Sequence, residues 1–224
     1  EQPAHDKFAA VLVPNIESTL DSEIRGNIEE IAFREGQQFK KDDVLLRFDC
    51  ATHQANLDKA KADLMSSNAT LESRQRLKEL KSISDLDHKL AVADAQRAQA
   101  EVDGAAAIVE RCMVVAPFDG TLVELKVNPH ESVNEGEPLM KIIGYGAPHI
   151  EMLIPSSKVS GIKIGDSFQM AVDDTGGKYN ATVKYIVPRI DPISQMFMVV
   201  GELSKIEKDL IAGMTGTALF DPQR

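Results

Sequence analysis

Two cysteines are the side chains of this sequence best suited to covalent chemistry. Cys50 and Cys112 are its only cysteines. They lie at the first and last positions of a long segment whose composition favours helix. No CxxC pattern supports a metal or redox role. Two interpretations remain: buried thiols that pack as small hydrophobic groups, or a disulfide that joins the two ends of the segment.

The other reactive side chains form no recognisable catalytic or metal-binding pattern. The five histidines share no ligand spacing, and the eight methionines are spread along the chain. Met196 and Met198 stand close together, but their spacing is more typical of a strand core than of a soft-metal site. Carboxylates are plentiful, yet none accompanies a nucleophile or an oxyanion donor. We therefore predict no catalytic, cofactor-binding or metal-binding residues, and no enzyme.

Composition narrows the class of protein and its partners. The chain has 224 residues, of which 43% are hydrophobic and 27% are charged, so it can bury a core. Its formal net charge of −10 argues against nucleic acid or an anionic membrane surface as a partner, because both attract clustered Lys and Arg. No stretch of the sequence is long and apolar enough to predict a transmembrane helix.

One sequence pattern occurs twice at a constant offset. The segments are GNIEEIAFREGQQFKKDDVLLRFD from Gly26 and GTLVELKVNPHESVNEGEPLMKII from Gly120, 94 residues later. Six apolar positions match without a gap, among them Ile28 with Leu122 and Leu45 with Leu139. Period-2 alternation predicts short β-strands in both copies. A repeat that occurs only twice predicts two half-domains, neither of which can bury its own apolar face alone.

The residues between the two copies are predicted to form a helical hairpin. Residues 51–111 contain no Pro and one Gly, and they are rich in strong helix formers. Heptad spacing indicates a coiled-coil seam, with these residues: Leu57, Ala60, Leu64, Ser67 and Leu71 on the first helix, and Leu86, Leu90, Ala93, Ala100 and Ala107 on the second. Ser84, followed three residues later by an acid, is a predicted N-cap of the second helix.

After Gly144 the pattern is β again, with regularly spaced strands and turns that predict a small antiparallel barrel. Phe8–Val13 is a lone strand that we expect to join this barrel. The predicted class is therefore α+β: a split β domain with an inserted antiparallel coiled-coil hairpin, and a β-barrel. The predicted domains are 15–49 with 113–144 for the two halves of the split domain, 50–112 for the hairpin, and 1–14 with 145–224 for the barrel.

Several of these segments resemble a known family. The two copies are similar to the halves of biotinyl and lipoyl carrier domains. Their order around the hairpin, with VVAPFDG before the second copy and IEMLIPSSKVSGIKIGDSF in the barrel, resembles the periplasmic adaptor or membrane fusion proteins of tripartite efflux and secretion systems. The resemblance covers nearly the whole chain.

The resemblance implies an adaptor that links an inner-membrane transporter to an outer-membrane channel for the efflux of small molecules. It also implies self-association into a ring. A periplasmic location follows, with inner-membrane anchoring by an N-terminal segment absent from this sequence. The alternatives are a type I secretion adaptor, a lipoyl- or biotinyl-type carrier subunit of an enzyme complex, and a coiled-coil scaffold. The carrier alternative lacks a lysine in the usual turn, which the hairpin replaces.

The resemblance also assigns the channel-docking residues to the hairpin tip. Adaptors that dock the common outer-membrane channel carry Arg, then Leu four positions on, then Ser seven further. Arg76 and Leu80 match this pattern, whereas Asp87 occupies the serine position and Ser84 comes three residues early. The same resemblance favours the disulfide between Cys50 and Cys112, because the periplasm is oxidising.

Overall fold

The structure is a computed structural model that describes residues 6–205 and 209–220. The chain divides into two compact units. One combines the segment up to Glu17 with the segment from Ile143 onward and contains a β-barrel. The other, Ser18–Ile142, contains a β-sandwich and a helical hairpin.

The regular elements follow one another in a simple order. The strands are β1 (Asp6–Val13), β2 (Glu17–Asp21), β3 (Gly26–Ile31), β4 (Gln38–Phe39), β5 (Val44–Phe48), β6 (Met113–Val115), β7 (Gly120–Leu125), β8 (Ser132–Val133), β9 (Pro138–Gly144), β10 (His149–Pro155), β11 (Ser167–Val172), β12 (Lys178–Ile190), β13 (Met196–Leu203) and β14 (Thr215–Phe220). The α-helices are α1 (Ala51–Glu79) and α2 (Asp85–Glu110), and a 3₁₀-helix spans Ser156–Gly161.

Six antiparallel strands close the barrel in the order β1–β10–β13–β12–β11–β14. The expectation for the lone first strand is confirmed, since β1 pairs with both β10 and β14. Alternate side chains of β1 point inward, and Phe8, Ala10 and Leu12 are buried. Gly216 permits close contact between β14 and β11, because a Cβ there would lie 2.1 Å from the Ala171 carbonyl oxygen.

The sandwich consists of two four-stranded sheets, β2–β9–β7–β4 and β6–β5–β3–β8. The strands repeat with the sequence offset: β3 and β7 start at Gly26 and Gly120, and β4 and β8 end at Phe39 and Val133. Each half contributes its short strand to the sheet of the other, with Gly26 opposite Val133 and Gly120 opposite Phe39. This exchange confirms that neither half is complete alone.

The core of the sandwich comes from the matched positions of the two copies. Ile28, Leu45 and their equivalents Leu122 and Leu139 are all buried. Main-chain bonds repeat as well: the Ala32 N–H donates to Leu45 O over 3.0 Å, and Lys126 N–H donates to Leu139 O over 2.9 Å. The alternation read from the sequence therefore positions one shared core between two equivalent halves.

The first helix of the hairpin carries the predicted seam. Leu57 is buried, and Ala60, Leu64, Ser67 and Leu71 are half-buried. Leucines at seven-residue spacing thus face the second helix.

The predicted seam of the second helix is wrong. Leu86, Leu90, Ala93, Ala100 and Ala107 are all exposed. The buried residues of α2 are instead Ala91, Ala95 and Ala98, and Val102, Ala105 and Val109 continue the same spacing half-buried. Alanines occur on every face of α2, so heptad spacing alone does not identify the face that packs against α1. The large leucines of α1 pack against the face with small side chains and leave Leu86 and Leu90 outside.

Candidate functional site: the tip of the helical hairpin

The hairpin tip, residues 76–87, is a tightly bonded turn between the two helices. At the end of α1, the Lys81 N–H donates to Lys78 O and the Ser82 N–H donates to Leu77 O, both over 2.8 Å. Lys81 has φ 55°, which is the left-handed conformation that usually falls to glycine. These bonds form a Schellman motif, which ends α1 sharply without a glycine.

The second helix starts with the predicted N-cap. The Asp87 N–H donates to Ser84 Oγ over 3.1 Å, and the Ser84 N–H donates to Asp87 Oδ2 over 3.3 Å. The Ser84 hydroxyl also donates to the same Asp87 oxygen over 2.7 Å. This reciprocal pair is a capping box with Asp in place of the usual Glu or Gln. The hydrogen bond from the Ser84 side chain, followed by that from its backbone, lowers the pKa of Asp87.

Polar contacts across the hairpin fix the two helices near the tip. Lys78 Nζ lies 3.1 Å from Asp85 Oδ1, and His88 Nε2 lies 2.5 Å from Gln75 Oε1. Basic side chains in the last turn of α1 and acidic ones in the first turn of α2 both complement the helix dipoles. The tip is therefore an ordered feature of the hairpin.

The four predicted docking residues divide into two pairs. Leu80, the C-cap of α1, follows Arg76 by one helical turn and lies on the same side. Arg76 forms an ion pair with Glu72 of its own helix, and Leu80 is 73% exposed. Ser84 and Asp87 bond each other in the capping box. The structure thus offers Arg76 and Leu80 for outside contact, while Ser84 and Asp87 shape the turn beside them.

Sequence reasoning overlooked further apolar surface beside the tip. Leu86 and Leu90, in the first two turns of α2, are 65% and 55% exposed. The heptad pattern predicts both leucines in the seam, so it does not predict their exposure. An exposed leucine on each side of the turn gives the tip an apolar surface that its own hairpin does not cover.

The base of the hairpin is closed by the two cysteines. Cys50 is the N-cap of α1, and Cys112 follows the C-cap of α2, Arg111. The structure joins them in a disulfide with Cα atoms 6.0 Å apart. The Phe48 N–H donates to Cys112 O over 2.9 Å, which continues the β5–β6 pairing up to the bridge.

Among residues 6–205 and 209–220, no group of three or more His, Cys, Asp or Glu side chains could hold a metal ion. Across those same ranges, no helix has the length and apolar character needed to cross a membrane.

Known proteins are similar to this chain in sequence and in fold. A family model described as "RND MFP, barrel-sandwich hybrid domain" matches residues 17–144. The nodulation protein NolF of Rhizobium meliloti is 27% identical over 223 residues, covering 93% of this chain and 61% of its own length. The multidrug efflux pump subunit AcrA of Escherichia coli K12 is 31% identical over 129 residues, covering 51% of this chain and 32% of its own length.

Solved structures agree in fold. A MacA–MexA chimera with the Pseudomonas aeruginosa MexA α-hairpin domain has a TM-score of 0.87 at 21% identity, covering 98% of this chain and 81% of its own. The membrane fusion protein Spr0693 of Streptococcus pneumoniae R6 has a TM-score of 0.81 at 14% identity, covering 97% of this chain and 100% of its own. The chain spans 47% of a Haemophilus influenzae relative as well as 61% of NolF.

Proposed function

Because this chain belongs to the membrane fusion protein family of RND efflux systems, we propose that it is a periplasmic adaptor. In this role it links an inner-membrane transporter to an outer-membrane channel for the efflux of small molecules. AcrA, a relative over half of this chain, is named as a subunit of a multidrug efflux pump. The adaptor acts by binding and positioning its partners, and it catalyses no reaction.

The observation that carries this proposal is the ordered, apolar tip of the hairpin. A Schellman motif and a capping box hold the turn between α1 and α2. Leu80, Leu86 and Leu90 are nevertheless all more than half exposed. A rigid turn that presents leucines to solvent is suited to a protein partner, because little conformational entropy is lost when such a surface binds. We assign that partner as the outer-membrane channel.

Arg76 gives this surface a directional polar contact. Its guanidinium is exposed and lies one turn from Leu80, so a partner that covers Leu80 also reaches Arg76. The planar group presents a fork of donors to carbonyl or carboxylate oxygens. In the complex, such oxygens replace or share the contact that Glu72 makes in this chain. Leu80 then acts as the buried anchor, and Arg76 fixes its orientation.

Self-association into a ring accompanies docking in this proposal. The outward face of α2 carries Leu86, Leu90 and Ala93 at coiled-coil spacing, and its own hairpin leaves this face uncovered. Neighbouring copies in a ring make head-to-tail contacts, which bring different faces of the same chain together. Such interfaces form with the transporter and channel in place. The chain by itself is accordingly expected to associate weakly.

Charge reversal at the tip tests the docking role. Arg76→Glu combined with Leu80→Asp should abolish export, because it places two carboxylates on the docking surface. The matched control is Lys61→Glu with Met65→Asp, which changes a basic and an apolar side chain that are both exposed on α1, at the same four-residue spacing but outside the tip. The readout is susceptibility of cells to compounds that become more toxic when the gene is deleted. Circular dichroism and periplasmic protein levels establish that each variant is folded.

A folded tip variant that restores full resistance would overturn tip docking. Equal loss in the tip variant and the control would also contradict it, since the effect would then come from charge on the hairpin in general.

A further inference from the structure

An apolar groove of about 700 Å³ lies on the outer face of the barrel. It runs across β14, β1, β10 and β13, and all of its lining belongs to the barrel unit. Its volume falls within the usual range of small-molecule sites, about 300–1,000 Å³. None of its lining residues belongs to the hairpin.

This groove forms because the outward side chains of neighbouring strands differ in size. Ala9 of β1 faces Thr217 of β14, so small side chains form its floor. Leu153 of β10 faces Met198 of β13 and forms a higher apolar wall. These four side chains point away from the barrel core, since their neighbours Phe8, Ala10 and Met152 are buried. The groove therefore takes no side chain from the barrel core. Leu153 is 52% exposed.

Charges are placed at opposite ends of the groove. Val11 faces both Glu151 and Thr215 in the strand register. The Asp173 N–H donates to Thr215 O over 3.0 Å, which brings Asp173 to the same level. Two carboxylates thus flank one end. Lys7 lies four residues from Val11 along β1, at the other end, and at about 3.3 Å per residue the ends are roughly 13 Å apart.

We propose that this groove binds an elongated amphipathic cation. Its apolar body lies over Ala9, Leu153 and Met198, and its positive group lies between Glu151 and Asp173. Lys7 disfavours a second positive group at the far end. The net charge of −10 adds a long-range attraction for cations.

Nuclear magnetic resonance of methionine methyl groups tests this proposal in the 224-residue chain. The probe is decyltrimethylammonium below its micelle-forming concentration, and decyl sulfate is the control with the same chain and opposite charge. Met198 lines the groove, whereas Met65 is exposed on the hairpin. We expect a saturable shift of the Met198 methyl, no shift of Met65, and binding of decyl sulfate at least tenfold weaker.

Two variants test separately how the carboxylates and the apolar floor contribute to binding. Glu151→Gln with Asp173→Asn should weaken binding of the cation by about tenfold, since each exposed ion pair contributes modestly. Asp174→Asn is the matched control, because this neighbouring carboxylate does not line the groove. Ala9→Leu should abolish binding by filling the floor, whereas Thr182→Leu, on an exposed position of β12, should leave it unchanged.

Several results would overturn the proposal. Equal binding of decyl sulfate removes the selectivity for cations. Shifts of Met65 as large as those of Met198 indicate adsorption to any exposed apolar side chain. A shift of the Met198 methyl resonance when the protein is diluted without the probe shows that a second copy of the chain occupies the groove instead.

Discussion

Gly36 and His130 occupy equivalent turns of the two half-domains, 94 residues apart, and both have positive φ, 82° and 69°. Their amides make equivalent bonds, from Gly36 N–H to Leu122 O and from His130 N–H to Ile28 O, each 2.8 Å long. Asp42 and Gly136 form a second such pair, with φ 68° and 80°. The backbone therefore dictates the left-handed conformation at both turns, and only one residue of each pair is glycine.

Gly36→Ala should destabilise the chain by about 1 kcal/mol. A Cβ at this position meets nothing within 4 Å, so the cost comes from the left-handed backbone alone. The matched control is Gly104→Ala, which also adds a Cβ in open space but lies within α2. It should stabilise by up to about 1 kcal/mol, because alanine favours helix. Urea unfolding of both variants checks the opposite signs, and destabilisation by both would contradict this account.

The seam of α2 is tested by adding bulk to two alanines on the same helix. Ala98 is buried and Ala100 is exposed, although the sequence pattern had placed Ala100 in the seam. Ala98→Leu should cost about 1–3 kcal/mol because it overpacks the contact with α1. Ala100→Leu should change stability by less than about 0.5 kcal/mol. A larger loss of thermal stability for Ala100→Leu than for Ala98→Leu would contradict the seam in the structure. It would support the seam predicted from the sequence.

The disulfide between Cys50 and Cys112 should form in protein purified without reductant. The bridge closes a loop with a sequence separation of 62, for which the chain-entropy model gives about 4 kcal/mol as an upper figure. Replacement of both cysteines by alanine should therefore lower the free energy of unfolding by about 2–4 kcal/mol. Thiol titration after denaturation is the direct check. Two reactive thiols would show that the residues are buried thiols in the native protein.

Asp87 should titrate below the usual range for an aspartate, because the Ser84 side chain and backbone bond its charged form. A carboxyl whose folded pKa is lowered stabilises the fold above its unfolded pKa, about 3.9, and that contribution is lost as pH falls through the lower folded value. Ser84→Ala should raise the pKa of Asp87. Asp191, whose pKa is lowered by Ser194, is the internal control and should not move. An unchanged Asp87 midpoint in carboxyl NMR titration would exclude the hydrogen bond from the Ser84 side chain as the main cause.

The repeat and the N-cap could be predicted from sequence because each depends on local spacing. Gly26 and Gly120 mark strand starts in both copies, and Ser84 with Asp87 gives a recognisable helix start. The exchange of β4 and β8 between sheets could not be predicted from the sequence, because a two-residue strand carries no signal for its partner.

Other features depend on packing that sequence spacing does not specify. The choice between Ala98 and Ala100 for the seam depends on the leucines of α1 that face it. The groove over Ala9 needs the strand register, which brings side chains from four strands together.

Photocrosslinking in intact cells tests the central claim most directly. A photoreactive amino acid replaces Leu80 at the tip in one variant and Met65, equally exposed on α1, in the other. Adducts are isolated under denaturing conditions and identified by mass spectrometry. An adduct between position 80 and an outer-membrane channel protein, absent at position 65, is the predicted result. Channel adducts at position 65 with none at position 80, in folded and export-competent protein, would contradict docking through the hairpin tip.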